Sequence, residues 1–382
     1  MKRTRGLFAF AVFMTLVATA SAGDNAMFNY QGRVLVQGMP YTGAGRMKAA
    51  ILATTGSATI SLWSNDGSSV AGSQPAGSFA VDVSQGVFDA MIGDAALGME
   101  ALPAILFNRD DELKVRVWFN DGTHGFQQLS PDRRLTNPRR MGLARVTSPL
   151  WVYVNSTTGN DWDSGLTTDT AKRTVQAAID MLPRSIRALT TIRLASGTYS
   201  GFTIAGFKDV MDELVIEGDT AHDPTLSQSL DVIVQGSGTT GILVQSSERV
   251  RLKGILTQNW YNGVNCKDSQ VEIDKCQATG CYFMGFLAER SSMGLNNCLA
   301  YHNTQFGAGF VYATGCLRSS ICDGNQNGLM VYHNSSVACI PATLRNNGTG
   351  LISRYLSSIV LGSINYSGNT LNTNVASGSG IY

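Results

Sequence analysis

Three side chains in the last third of the chain have the types that acid–base chemistry needs: Glu289, His302 and Asp323. An imidazole titrates near neutral pH, and a His beside an Asp can serve as acid or base. Paired carboxylates are what a hydrolase uses for the same purpose. These three are therefore the catalytic candidates if the protein is an enzyme, although on a strand-and-turn surface such residues are more often plain polar positions. Asp161 and Asp163, ahead of Gly165, have the look of a calcium loop, but the third ligand is missing and Lys172 stands where the bidentate acid belongs. That segment is expected to be a turn. No Cys-x-x-Cys or His-x-x-x-His spacing occurs, so no metal site is expected.

The elements that would hold these side chains repeat about every 22 residues. The segments 250–255 (Val-Arg-Leu-Lys-Gly-Ile), 271–276, 293–298, 316–321, 337–342 and 359–364 carry mostly apolar or thiol side chains at their first, third and sixth positions. This is the two-residue alternation of a half-buried strand. A bend follows each, then a Gly and a second apolar run, as at Gly263-Val264, Gly285-Phe286 and Gly328-Leu329. Coils stacked at strand spacing would place Ile255, Cys276, Cys298, Ile321, Ala342 and Ile364 in one interior ladder. Asn259, Asn303, Asn325 and Asn346 would form an asparagine ladder at the next bend. Arg251 would lie over Glu272 and Lys253 over Asp274, a surface charge ladder of small energy. With Phe286, Phe310, Leu329 and Leu351 inward, Leu287, Val311, Met330 and Ile352 would form an exposed apolar row, suited to contact between copies in a homotrimer.

On these repeats and ladders, residues 149–382 resemble the right-handed parallel β-helix superfamily of pectate lyases, polygalacturonases and phage tailspikes. The opening phrases 151–155 (Trp-Val-Tyr-Val-Asn) and 191–199, ending in Gly-Thr-Tyr, are similar to the first coils of such proteins. Between them Val175, Ala178, Ile179 and Leu182 recur at helical spacing up to Pro183, which predicts a short amphipathic helix capping the open end of the solenoid. The resemblance implies an extended glycan as ligand. It transfers no catalytic residue: the polygalacturonase motifs Asn-Thr-Asp and Arg-Ile-Lys do not occur, and the Asp110-Asp111 pair lies outside the repeats. The pectate lyase motifs are missing as well.

Ahead of the repeats, residues 23–148 read as an antiparallel β-sandwich with an Arg-rich linker. Its runs 79–83, 86–91 and 113–119 alternate, and Asn-Asp-Gly turns stand at Asn65 and Asn120. Its opening 28–33 and ending 129–138 resemble a module that begins many secreted bacterial proteins. Arg133, Arg134, Arg139, Arg140 and Arg145 crowd the join, and solvated linker positions are their simplest reading. Residues 1–22 have the basic start, apolar run and Ala20-Ser21-Ala22 site of a cleavable signal peptide, so an exported protein is expected. No later stretch is long and apolar enough to span a membrane. Seven Cys lie between 266 and 339, where export permits bridges but a small buried hydrophobe is the simpler role.

The net charge of +1 gives no field for nucleic acid. The fold class is thus all-β: an antiparallel sandwich, then a helix-capped parallel β-helix. The leading function is non-catalytic binding of a polysaccharide or cell-envelope glycan at the surface. A polysaccharide lyase or glycoside hydrolase and a tail-fibre-like structural component stand as alternatives. No cofactor is expected, and calcium enters only if the protein is a lyase.

Overall fold

The computed structural model describes residues 25–55, 58–107, 112–135, 145–226, 229–376 and 378–382. Residues 1–22, expected to be a signal peptide, and Asp110-Asp111, Arg139 and Arg140 lie outside them. Contacts divide the chain into two compact units, 1–148 with 181–183, and 149–180 with 184–382.

In the first unit, alternating sequence gives alternating burial: Phe79–Ser84 and Val87–Ile92 each present every second side chain to the core. Their sheet is antiparallel and runs Gln127–Leu135, Leu113–Asn120, Gly43–Thr55, Phe79–Ser84, Val87–Ile92, Phe28–Arg33. The thirteen-residue strand Gly43–Thr55 also pairs with Ala58–Ser64 through its second half. Phe28, Met47, Ile51, Phe88, Val115 and Phe119 are buried in one core.

The second unit is a solenoid of three parallel sheets of ten, eight and eight strands. Each full coil contributes one strand to the first, the second and the third sheet in turn, and the winding takes the right-handed sense of parallel crossovers. Interior columns explain the sequence pattern. Val152, Ile192, Ile216, Leu252, Ile273, Leu295, Leu317 and Cys339 stack on the first sheet, each at most 1% exposed. Cys276 and Cys298 occupy consecutive levels, since Gln277 pairs Leu299 and the Leu299 amide donates to the Cys276 carbonyl. All seven thiols are free, and burial pushes that of Cys276 up to about 12, as suits a packing residue.

The ladders differ from expectation by one residue at two places. Met293 pairs Gly315, so Ser320, not Ile321, follows Cys298 in the interior column; its Oγ accepts from the Cys298 amide at 3.1 Å. The asparagine ladder is Asn303, Asn325, Asn347 and Asn369, each Oδ1 after the first accepting from the backbone N–H of the Asn one coil below. Asn259 and Asn346 sit one position earlier, at a corner with left-handed φ (65° and 55°) that Gly280, His302, Gly324 and Gly368 share. A ladder needs constant spacing, and Asn346 is one residue short of the 22-residue step from Asn325.

The expected helix shrinks to Val175–Asp180, with Val175, Ala178 and Ile179 buried. Six residues rise only about 9 Å, too little to cover the open end of a three-sided solenoid. It packs against the early strands and is not a cap. The calcium-like loop is a turn: Asp161 Oδ1 accepts from the Arg173 and Thr174 amides at 2.8 and 2.7 Å, and Oδ2 accepts from the Thr174 hydroxyl.

Candidate functional site

The repeats give each sequence candidate a partner. Glu289 ends a third-sheet strand, 3.2 Å from Lys267 Nζ, and accepts from Asn265 Nδ2. Asp323 accepts from Arg345 Nε and Asn346 Nδ2, both at 2.8 Å. His302 stands one coil below, its amide bonded to the Asp323 carbonyl, and its ring lies where a Cβ on Gly324 would fall. So His302 and Asp323 share a corner between the second and third sheets. Glu289 pairs with Val311 at the far end of the strand Phe306–Val311, about 20 Å along the chain, so the three do not converge. His333 is stacked between Tyr312 and Tyr355, with centroids 4.9 and 4.5 Å away.

The apolar row also changes. Leu287, Met330 and Ile352 are 5, 4 and 7% exposed, while Val311 belongs to the neighbouring column of Lys267 and Glu289. Gly309 holds the place expected for Val311. The gap it leaves admits Met284, whose thioether occupies the space a side chain there would need. Met284, Leu287 and Met330, with Phe283, Phe306, Val311 and Tyr332 around them, close this patch within one chain. Leu287→Ala is accordingly expected to lower stability by about 2 kcal/mol in denaturant titration without changing the sedimentation coefficient.

What breaks the repeat is the first corner of the third coil. Later coils turn from the first sheet to the second in about two residues, as from Val250–Lys253 to Leu256–Gln258. Between Leu214–Glu217 and Val232–Gln235 the chain instead takes residues 218–231. This loop is tied at its base by Gly218 N to the Lys253 carbonyl and Asp219 N to the Gly254 carbonyl, both 2.8 Å. Gly254 has φ +63° and meets the Asp219 carbonyl where a Cβ would stand, so only glycine fits there. A cavity of about 500 Å³ opens between the loop and the first two coils, lined among others by Tyr153, Asn155, Arg193, Ser196, His222 and Asp231.

Asp219 organises the loop. Its Oδ1 accepts from the Ala221 and His222 amides at 2.9 and 3.2 Å, and its Oδ2 from the Asp231 amide at 3.0 Å and from His222 Nδ1 at 2.6 Å. Burial pushes the Asp219 carboxyl up, but these bonds, His222 foremost, outweigh it and hold the group below the ordinary carboxylate range. The bond to Asp219 and then its charge raise the His222 pKa above its ordinary value. An ionised Asp219 requires Nδ1 to carry the proton, which leaves Nε2 for the cavity. Beside the cavity, burial raises and the bonds from Lys253 and Arg193 more strongly lower the Glu217 pKa.

These directions fix the pH response. A depressed Asp219 contributes stability that is present above 3.8 and lost as pH falls through its lowered value, whereas the raised His222 contributes below 6.5 and loses it as pH rises through its own. Protection factors at the Ala221 and Asp231 amides, with intrinsic exchange divided out, are expected to be highest between these limits and to fall as acidification carries Asp219 through its lowered value.

Asp219, His222 and Asp231 offer ligand atoms within 4.8 Å of one another. A cation there would have to displace the Nδ1 proton that already joins Asp219 to His222, so the donor set fits a turn better than a metal. The sequence reading missed this group, although Asp-x-x-His was visible twice. Asp121 and His124 repeat the arrangement in the first unit, with Asp121 accepting from the Thr123 and His124 amides and from His124 Nδ1 at 2.7 Å. The motif is thus a turn device, and the cavity is what makes the second copy a site.

No protein-family model matches the chain, and no curated protein matches it. Its parallel β-helix is established by strand pairing alone. Among solved structures it is similar to a family 28 exopolygalacturonase of Yersinia enterocolitica, at 8% identity over 96% of this chain and 85% of that one, TM-score 0.25. It is also similar to the catalytic domain of a GH87 α-1,3-glucanase in complex with tetrasaccharides, at 9% identity over 99% and 96%, TM-score 0.23. The GH87 catalytic unit from Streptomyces thermodiastaticus follows at 10% identity over 98% and 94%, TM-score 0.14. Likenesses at these scores carry no argument about activity.

Proposed function

We propose that this is an exported glycan-binding protein, non-catalytic, which seats one end of an extended polysaccharide in the cavity on its first coils. The observation that carries the reading is the replacement of a two-residue corner by the loop 218–231, which builds a cavity of about 500 Å³ rimmed with hydroxyl, amide and carboxylate groups. A volume of this size with a few convergent polar groups suits a sugar ring. The coils beyond it supply a regular surface along which a chain-like ligand can lie, and the leader-like first 22 residues support export.

Binding without turnover is favoured because Asp219 and Glu217 are each occupied by several hydrogen bonds or ion pairs, which leaves Asp231 without a free second carboxylate to form an acid–base pair. A second reading, lyase or hydrolase, rests on His222, whose Nε2 has no partner among the described residues. Calorimetric titration with a panel of oligosaccharides, alongside assays for reducing ends and unsaturated products with and without calcium, tests both. Saturable binding without product is expected; product release that His222→Ala abolishes would overturn the non-catalytic reading.

A further inference from the structure

We infer that the cavity selects a sugar ring bearing no carboxylate, and that Asp231 is the residue that imposes this choice; the inference rests on the glycan reading above. The charges around the cavity are unevenly matched. Glu217 lies between Arg193 and Lys253, and Asp219 is bonded to His222 and three backbone N–H groups. The Asp231 carboxylate alone in this group accepts no hydrogen bond from any described residue. Its backbone is nonetheless fixed on both sides: its N–H donates to Asp219 Oδ2 at 3.0 Å and its carbonyl accepts from Gly197 N at 2.9 Å. The side chain therefore starts from an anchored point between two coils and ends in an exposed carboxylate at the cavity, within 4.8 Å of the imidazole that Asp219 already holds.

A carboxylate carried on a fixed backbone in this way can accept charge-assisted hydrogen bonds from two adjacent hydroxyls of a pyranose ring. A uronate brings a like charge to the same place, and the nearest guanidinium, Arg193, is already engaged by Glu217. Of the remaining polar lining, Tyr153, Asn155, Ser196 and Thr220 are neutral, and any positive charge on His222 is offset by the Asp219 carboxylate bonded to its Nδ1 at 2.6 Å. Selection against uronates thus comes from repulsion at one residue, with hydroxyl recognition supplied by the same group.

The test is calorimetry on the full chain with matched neutral oligosaccharides (gluco- and galacto-oligomers) and oligogalacturonates at low salt. Neutral oligomers are expected to bind at least about ten-fold more tightly than uronates, with the gap narrowing as salt rises. Asp231→Asn, isosteric and exposed, should keep the wild-type melting temperature and close the gap about ten-fold, chiefly by gaining uronate affinity. Uronates bound by the wild type as tightly as neutral oligomers would overturn the selectivity while leaving the glycan reading in place. An unchanged preference in a folded Asp231→Asn would remove Asp231 from its role. Failure of every oligosaccharide to bind would take down both readings.

Discussion

Asn325→Leu is expected to destabilise the solenoid by roughly 3–5 kcal/mol, read as a lower denaturant midpoint with a native-like slope. Asn325 is 3% exposed and makes its bonds in two directions. Its Oδ1 accepts from the Asn303 backbone at 2.9 Å and from Asn303 Nδ2 at 3.0 Å, while its Nδ2 donates to the Ala300 carbonyl at 3.0 Å and to Asn347 Oδ1 at 3.1 Å. Leucine has the same branched skeleton and is somewhat bulkier, so no cavity opens and the cost falls chiefly on the groups left without partners. Each buried donor or acceptor so stranded costs about 1–3 kcal/mol. Asn346→Gly, at the corner one coil on, keeps the left-handed φ accessible, removes an exposed bond to Asp323 and is the control. Equal losses at the two sites would show that the ladder is not what holds the coils together.

Asp219→Ala is the second large effect, and it separates the loop from the shaft. Four bonds end on that carboxylate, two of them closing the turn at Ala221 and His222, one reaching Asp231 and one orienting the imidazole. Removing it should weaken the loop locally by about 2–4 kcal/mol, since hydrogen bonds to charged groups contribute more than neutral ones. The coils beneath are held by their own ladders and should melt as before. The measurable signature is faster exchange at residues 218–231, unchanged exchange in the later coils, and at least about a ten-fold loss of glycan affinity. A uniform drop in protection through all coils would mean the loop is part of the folding core. Asp219→Asn, which keeps the shape and loses the charge, should fall between the two.

Much of the fold was legible because a solenoid writes its geometry into spacing. The apolar alternation at 250–255 and 271–276 and the paired thiols at 276 and 298 identified the coils correctly. The errors were register errors. One residue of offset moved Ile321 into a column that Ser320 occupies, because the serine there is a hydrogen-bonding strut and not an apolar filler. The same bias hid a second strut column. Ser247, Ser269, Ser291, Ser335, Ser357 and Ser379 recur in multiples of 22 and bond coil to coil, the 313 position being alanine. A search for repeating hydroxyls would have found it. Of the candidate site, the residues lay in plain view but their convergence did not. Asp219, His222 and Asp231 belong to a non-repeating loop, and nothing in its composition says that it folds over the ends of earlier strands. The catalytic candidates failed to meet for the converse reason: Glu289 and Asp323 repeat in phase with cations that neutralise them.

The step of 21 or 22 residues per coil makes the shaft a vernier. Ser292 pairs Thr314 directly, so excising residues 292–313 would rejoin strands at equivalent levels, with the serine and asparagine struts meeting new but matching neighbours. The molecule can therefore be shortened or extended by whole notches without disturbing the receptacle at its first coils. Reach and recognition are set by different parts of the chain, and descent could adjust one while leaving the other untouched.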